Sequence, residues 1–310
     1  VQISDILPLD VLGLVYRQRG LIAQRTGNYT QAEKEFRNAL ARAKKRSRVD
    51  EQGAAHNLLS FLAYLRSEYN LVAEHAQKTF DFGTQANVKQ LRAAGLRNLG
   101  IAAYNTQDFD RALALYGEAL KVYKEANDSV GIATCYNNTG FALRTLRRYE
   151  EAIGAFQKAF SYYEAAGQVE GQALILANIG RAYASQGKAE TALDYLERAH
   201  KLSKEAQTDW ITTKIWRTKG RVFSQSKDWD KALDAVYKAQ TLAEALGSDE
   251  DLGASYRLLG EIAAAWEDSN LGSPEQYFKQ SIFLLEKVGE QHEMQRSINS
   301  FEAYKNKIKT

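Results

Sequence analysis

Four histidines, His56, His75, His200 and His292, and one cysteine, Cys135, are the side chains of this sequence best suited to metal ligation or nucleophilic attack. Their spacing assembles neither chemistry. A zinc-binding helix needs two histidines one turn apart with an acid between them, and the segment from His292, His-Glu-Met-Gln-Arg, lacks the second. Single histidines on helices are ordinarily structural or solvent-facing. Cys135, next to Tyr136, reads as a buried thiol on a packed helix face and not as a nucleophile. As the one cysteine it forms no intrachain disulfide, which fits a reducing cytosol. No Gly-x4-Gly-Lys-Ser/Thr loop occurs, and the glycines are spread along the chain instead of clustering to cradle phosphate. The expectation is no catalytic residue, no metal and no cofactor. Function must then reside in surfaces that bind, and those depend on the elements that display them.

Propensity points to helices throughout. Only 2 prolines occur in 310 residues, and no segment shows the β-branched alternation of a strand. With 45% apolar and 25% charged residues, the balance is that of a folded chain and excludes long disorder or collagen. No apolar run approaches the roughly 18 to 20 residues that cross a bilayer, and the start, Val-Gln-Ile-Ser-Asp, has no signal-peptide pattern, so no membrane association is expected. The chain opens on Val1, which reads as processing or as a cut from something longer. A net charge of +3, with no stacking motif of aromatic and basic residues, argues against nucleic acid.

An internal repeat organises the whole chain. Gly20, Ser60, Gly100, Gly140, Gly180, Gly220 and Gly260 stand 40 residues apart. Twelve residues after each of the first six come Ala32, Val72, Ala112, Ala152, Ala192 and Ala232, followed at fixed steps by Phe36, Ala76, Tyr116, Phe156, Leu196 and Val236, then Ala39, Thr79, Ala119, Ala159, Ala199 and Ala239. A seventh unit matches after a two-residue insertion, through Pro274, Phe278 and Ser281. A small residue on a first helix lets a second helix approach closely, and the Ala-x3-bulky-x2-Ala stripe buries its bulk at helical spacing. Thr-Gly-Asn-Tyr (26–29), Thr-Gln-Asp-Phe (106–109), Ser-Gln-Gly-Lys (185–188) and Ser-Lys-Asp-Trp (226–229) supply the turns between the two.

This pattern resembles the tetratricopeptide repeat, with its small residue at position 8, Ala at 20, a large residue at 24 and Ala at 27. The family's unit is 34 residues, and the 40-residue variety here is similar to the LGN/Pins polarity adaptors and to the sensor arrays of the MalT and Rap families. The six extra residues are expected to lengthen the second helix and the connection after it, as in Ala-Asn-Asp-Ser-Val-Gly (126–131) and Ala-Gly-Gln-Val-Glu-Gly (166–171). The resemblance implies an all-α, right-handed superhelical solenoid: a single array over 1–310, with a lead-in at 1–12, seven repeats over 13–292 and a capping helix at 291–310.

The family's groove positions, 2, 5, 6, 9, 12 and 13 of each unit, then select 42 residues. They hold nine basic side chains, Arg17, Arg25, Arg97, Arg144, Arg181, Lys214, Arg217, Arg221 and Arg257, against one acid, Glu261. Proportional sharing gives roughly six and five. Six of the 14 asparagines fall there too, Asn57, Asn98, Asn105, Asn137, Asn138 and Asn178. Asn98, Asn138 and Asn178 recur at position 6 of successive units, and an amide ladder pairs with the N–H and C=O groups of an extended peptide. Arg97, Arg217 and Arg221 have the chemistry to fork onto carboxylates. The alternative is that these residues cap helices, bridge between them or solvate the groove. Phe61, Tyr64, Tyr104 and Phe141 form either an apolar pocket for an anchor side chain or wall packing.

The basic run Arg42 to Arg48 suits a helix terminus, where cations complement the dipole, with phosphate or acidic-lipid contact as the alternative. Met294, Ile298, Phe301, Tyr304 and Ile308 give the tail one apolar stripe, as a cap requires. An uncovered array start would favour self-association. The expectation is a cytoplasmic interaction scaffold for an extended, acidic peptide segment of a partner protein; the alternative is a sensor array within a larger signalling or transcription-regulating protein.

Overall fold

Helix formers dominate the sequence, and helices account for nearly all of the structure. The computed structural model describes residues 9–25, 28–266 and 271–308, and no strand occurs among them. The helices are α1 (Leu9–Arg25), α2 (Tyr29–Lys45), α3 (Val49–Leu65), α4 (Tyr69–Gln85), α5 (Lys89–Asn105), α6 (Phe109–Glu125), α7 (Ser129–Thr145), α8 (Tyr149–Ala165), α9 (Val169–Ser185), α10 (Ala189–Glu205), α11 (Asp209–Gln225), α12 (Trp229–Leu246), α13 (Asp249–Ala265), α14 (Pro274–Lys287) and α15 (Gln291–Lys307).

A half-repeat of 20 residues underlies the repeat of 40. From Ser47 to Gly247, every twentieth residue has positive φ: Ser47, Ser67, Asn87, Gln107, Asn127, Arg147, Gly167, Gly187, Gln207, Lys227 and Gly247. Each follows a helix end, and the next N–H folds back to a carbonyl five residues earlier, as in Asp108 N to Ala103 O (2.9 Å) and Lys188 N to Tyr183 O (3.0 Å). This is the left-handed helix stop that satisfies last-turn carbonyls. The following helix opens on an accepting side chain at Asn28, Asp108, Asp128, Asp228 and Ser248. The expected long connections are corrected by this geometry. Ser129 to Gly131 and Val169 to Gly171 are already helical. The extra residues of the 40-residue unit therefore extend helices, chiefly the first of each pair at its N-terminal end, and from α2 to α12 the connections on both sides stay at three residues.

The glycine register has the steric basis the spacing predicts. A Cβ on Gly100 would lie 2.5 Å from the Tyr116 ring, one on Gly180 2.8 Å from Leu196, and one on Gly260 2.8 Å from Phe278. Ser60 fills the same place by donating its hydroxyl to Val72 O (3.1 Å). Its opposed residue is the small Ala76, fully buried.

The chain divides into two compact units, Val1–Ala142 and Leu143–Thr310. In the first, α1 pairs with α2, α3 with α4, and α5 with α6, and α3 also packs on α5. The basic run of α2 is partly neutralised there, since Arg46 and Arg48 reach Glu51 and Arg48 also pairs with Asp50 (3.0 Å). In the second unit, α9 pairs with α10, α11 with α12, and α13 with α14. First helices also touch in succession, α9 with α11, α11 with α13, and α13 with α15, whereas second helices make no comparable contact with one another. The row of first helices is therefore the tighter, inner side of that stack. Phe301 stacks on Phe278 (5.6 Å between ring centres) and Ser297 meets Ser281 (2.8 Å), so α15 covers the last hairpin. Ile308, expected on the same stripe, is exposed. The expected lead-in before Leu9 and the side chain of Arg25 lie outside the described residues.

Candidate functional site

In the first unit, the groove positions of α3 and α5 form a closed polar cluster. Asn98, 4% exposed, donates to Asn57 Oδ1 (3.0 Å) and Ser60 Oγ (3.3 Å), and its own Oδ1 accepts from Arg97 Nη2 (3.1 Å) and Nε (3.3 Å). The amide expected to face a ligand ties α5 to α3, and Arg97 is spent orienting it. Asn105 likewise bonds back to Ile101 O (2.8 Å). Asn137 is buried, and the Asn138 amino group is buried with no hydrogen-bond partner among the described residues. Arg17 on α1 is half-buried, with its Nε shielded and unpaired. Phe61 and Tyr64 are exposed and stacked (6.2 Å), while Tyr104 turns edge-on to Phe109 of its own hairpin (5.6 Å) and Phe141 is half-buried.

The second unit gathers most of the basic residues. Arg217, expected to fork onto a ligand carboxylate, instead holds Asp251 at 2.7 Å, and both are buried. Burial alone would raise the Asp251 pKa, but Arg217 and Lys214 outweigh it and hold the carboxyl below its ordinary value. Arg257, 3% exposed, bonds Glu261 and Glu293 at 2.9 Å each, and Arg296 adds a 2.6 Å contact to Glu293. Against the pull of burial, Arg296 and Arg257 hold Glu293 well below the carboxylate range. Arg217 and Arg257 are thus structural ion pairs. Lys214 lies over the Trp210 ring (4.8 Å), and Asn178 is buried. Arg144 is half-buried, with a shielded Nε.

Arg181 on α9 and Arg221 on α11 differ from these. Both stand at position 9 of successive repeats, are half-buried, and make no hydrogen bond or ion pair through their guanidinium groups among the described residues. Burial, followed by Arg144, Arg217 and Arg221, lowers the Arg181 pKa well below the usual arginine value. Burial and Arg257 bring Arg221 down to about 10. Both cations are therefore strongly desolvated although only half-buried.

The sequence-level count of one acid among 42 positions missed Asp251 and Glu293. Asp251 sits in the first turn of α13, the helical extension ahead of the family's unit, and Glu293 lies on α15. Asp-Glu-Asp (249–251) was legible as a helix start; that it faces Arg217 was not. The histidines also gave no warning, since His56 and His75, 19 residues apart, meet at 3.1 Å between their Nδ1 atoms. Cys135 is fully buried, and burial pushes its pKa up to about 12. No group of three His, Cys, Asp or Glu among the described residues is placed to hold a metal ion, and none of the described helices is long and apolar enough to cross a membrane.

Paired helices of similar length, locked by a small residue against a bulky one and stacked hairpin on hairpin, define an α-solenoid repeat protein. More specifically, residues 91–165 and 140–205 match the tetratricopeptide repeat family model. The same spacing continues on both sides of those residues, in keeping with an array of the tetratricopeptide type. No curated protein matches it by sequence. Among solved structures, the Rap conjugation gene regulator of the plasmid pLS20, in complex with the Phr peptide, is similar at a TM-score of 0.73 and 15% identity, over 91% of this chain and 76% of that one. A Rap protein complexed with Competence and Sporulation Factor gives 0.68 and 16%, over 99% and 78%. A signal transduction ATPase with a tetratricopeptide repeat sensor, from Pyrococcus horikoshii, gives 0.62 and 14%, over 95% of this chain and 43% of that one. At such identities the likeness is one of fold.

Proposed function

We propose that this protein is a non-catalytic, cytoplasmic adaptor that holds an extended, negatively charged peptide segment of a partner protein against the first helices of its second unit. The observation that carries this reading is the pair Arg181 and Arg221. Two unpaired cations, held where burial and neighbouring arginines disfavour them, cost stability that an anionic partner would recover. One similar structure holds the Phr peptide, and another holds Competence and Sporulation Factor, which supports a polypeptide as the occupant. In the first unit, the buried amino group of Asn138 is the remaining member of the expected ladder with a free donor; Asn98 is committed to the wall.

The test is a display library of acidic and neutral peptides, captured by wild-type protein and by an Arg181→Glu/Arg221→Glu variant. Arg217 is left intact, because its loss would strand Asp251. Acidic peptides should be enriched by the wild type and bound at least about tenfold more weakly by the variant, corresponding to one lost charge-assisted contact. Equal capture by both proteins would refute the reading. The likeness to a sensor-bearing ATPase favours a second reading, a sensor array whose peptide signals to an attached effector. A DNA-binding, kinase or ATPase segment in the same polypeptide would select it.

A further inference from the structure

We propose that two copies of this chain associate through α1 about a two-fold axis, with Ile22 of each copy packed against the partner's Leu14. The inference goes beyond the adaptor reading and uses none of its residues. The repeat shows what this face of α1 is shaped to do. Ile22 is 63% exposed, yet the residues at its register position in the six later units, Leu62, Ala102, Ala142, Ala182, Val222 and Ile262, are at most 5% exposed. Leu62 shares an apolar cluster with Phe36 and Leu40 of the hairpin before it, and Val222 shares one with Ala184 and Ala192. Gln18, one turn earlier on α1, is also exposed, whereas Asn98, Asn178, Thr218 and Leu258 at its register position are buried and Asn98 bonds back to Asn57 on α3. α1 thus displays the face by which a first helix receives the hairpin before it.

The chemistry of that face favours a second copy as the occupant. Leu14, Gln18 and Ile22 follow at intervals of four and lie along one side of the helix, with Leu14 52% exposed. A two-fold contact must be self-complementary, so its centre has to be free of like charge. With the axis at Gln18, amide meets amide, each a donor and an acceptor, and Leu14 and Ile22 exchange places across it. The cation on the border, Arg19, already has a counterion, because its Nη2 lies 3.4 Å from Glu35 Oε1. Covering it therefore strands no charge. Beside Ile22, a cavity of about 250 Å³ lined by Ala23, Asn28, Gln31 and Glu35 as well offers room for the partner's Leu14. The last described helix gives no such match: α15 exposes Gln295, Asn299, Glu302 and Asn306, so a head-to-tail contact would press Ile22 onto polar groups.

Sedimentation equilibrium of the full chain, from micromolar to millimolar concentration, is the test. One helix per copy is less than the roughly 800 Å² per partner of a standard interface, so the mass of the wild type should climb from monomer to dimer only as concentration rises. Ile22→Glu should stay monomeric over the same range with unchanged helical content, since the side chain is exposed in the single chain. Phe283→Glu, at a comparably exposed apolar site on α14, should dimerise like wild type. A second measurement does not depend on losing the contact. Gln18→Cys, at the axis, should form an interchain disulfide on mild oxidation at concentrations where the wild type is dimeric, and Cys135 is fully buried and adds no background. A wild type that is monomeric throughout would overturn the proposal and leave the face to a helix of another chain. Dimerisation that survives Ile22→Glu, or a Gln18→Cys protein that fails to cross-link, would overturn it as well. Masses that grow beyond the dimer would mean an open-ended contact and defeat the two-fold arrangement.

Discussion

His56 and His75 share one proton's worth of space. Their Nδ1 atoms are 3.1 Å apart, so one ring donates and the other accepts, and His56 also stacks on Phe82 (5.6 Å). Burial, then His75, Lys78 and Lys44, lower the His56 pKa to about 4, with Glu74 opposing; burial lowers His75 as well, again with Glu74 opposing. In the unfolded chain both titrate near 6.5. Between about pH 6.5 and 4 the unfolded state therefore binds more protons, and stability falls as pH falls. His56 alone accounts for up to about 3 kcal/mol by pH 4, a loss absent above pH 7. Urea unfolding of wild type at pH 7 and pH 5 should show this drop, and a His56→Leu/His75→Leu variant should show a clearly shallower one. An identical slope in both would mean the pair is not the acid-sensitive element.

At the scale of the element, hairpin closure depends on the absence of a single methyl group. Gly100 on α5 faces the ring of Tyr116 on α6, itself 2% exposed and unable to swing aside. Gly100→Ala gains about 1 kcal/mol in helix propensity. The overlap at 2.5 Å costs more, about 1–3 kcal/mol from displaced packing, so a net loss is expected by thermal or urea unfolding. Gly117→Ala on α6 is the control: nothing lies within 4 Å of its Cβ, and it should stabilise by up to about 1 kcal/mol. Loss at Gly117 and gain at Gly100 would reverse the steric account. The same scale explains the turns. Non-glycine residues such as Gln107, Arg147 and Lys227 accept a left-handed conformation because each stop must fall at the twentieth residue to keep successive helices in register.

Across the whole molecule the charges nearly cancel, 41 basic against 38 acidic, so any electrostatic attraction for a partner is local and not a long-range field. Binding through Arg181 and Arg221 should weaken as sodium chloride rises from 50 to 500 mM, because the groups are partly open to solvent and the Debye length falls to a few ångströms. The buried pair Arg217–Asp251 is screened much less, so helical content should stay constant over the same range. Affinity that ignores salt would shift attention to the exposed stack of Phe61 and Tyr64 in the first unit.

The sequence alone determined the helical repeat, its 40-residue register, the small-against-bulky contacts from Gly20 to Gly260 and the burial of Cys135. All of these follow from local periodicity and side-chain volume, which are written along the chain. It also placed arginines and asparagines on the first helices. Which of them remain free was decided only by tertiary structure, since ion pairing depends on neighbours 34 or 36 residues away, as for Arg217 with Asp251 and Arg257 with Glu293. Spacing says which face a charge is on, and three-dimensional packing says whether another charge has already reached it.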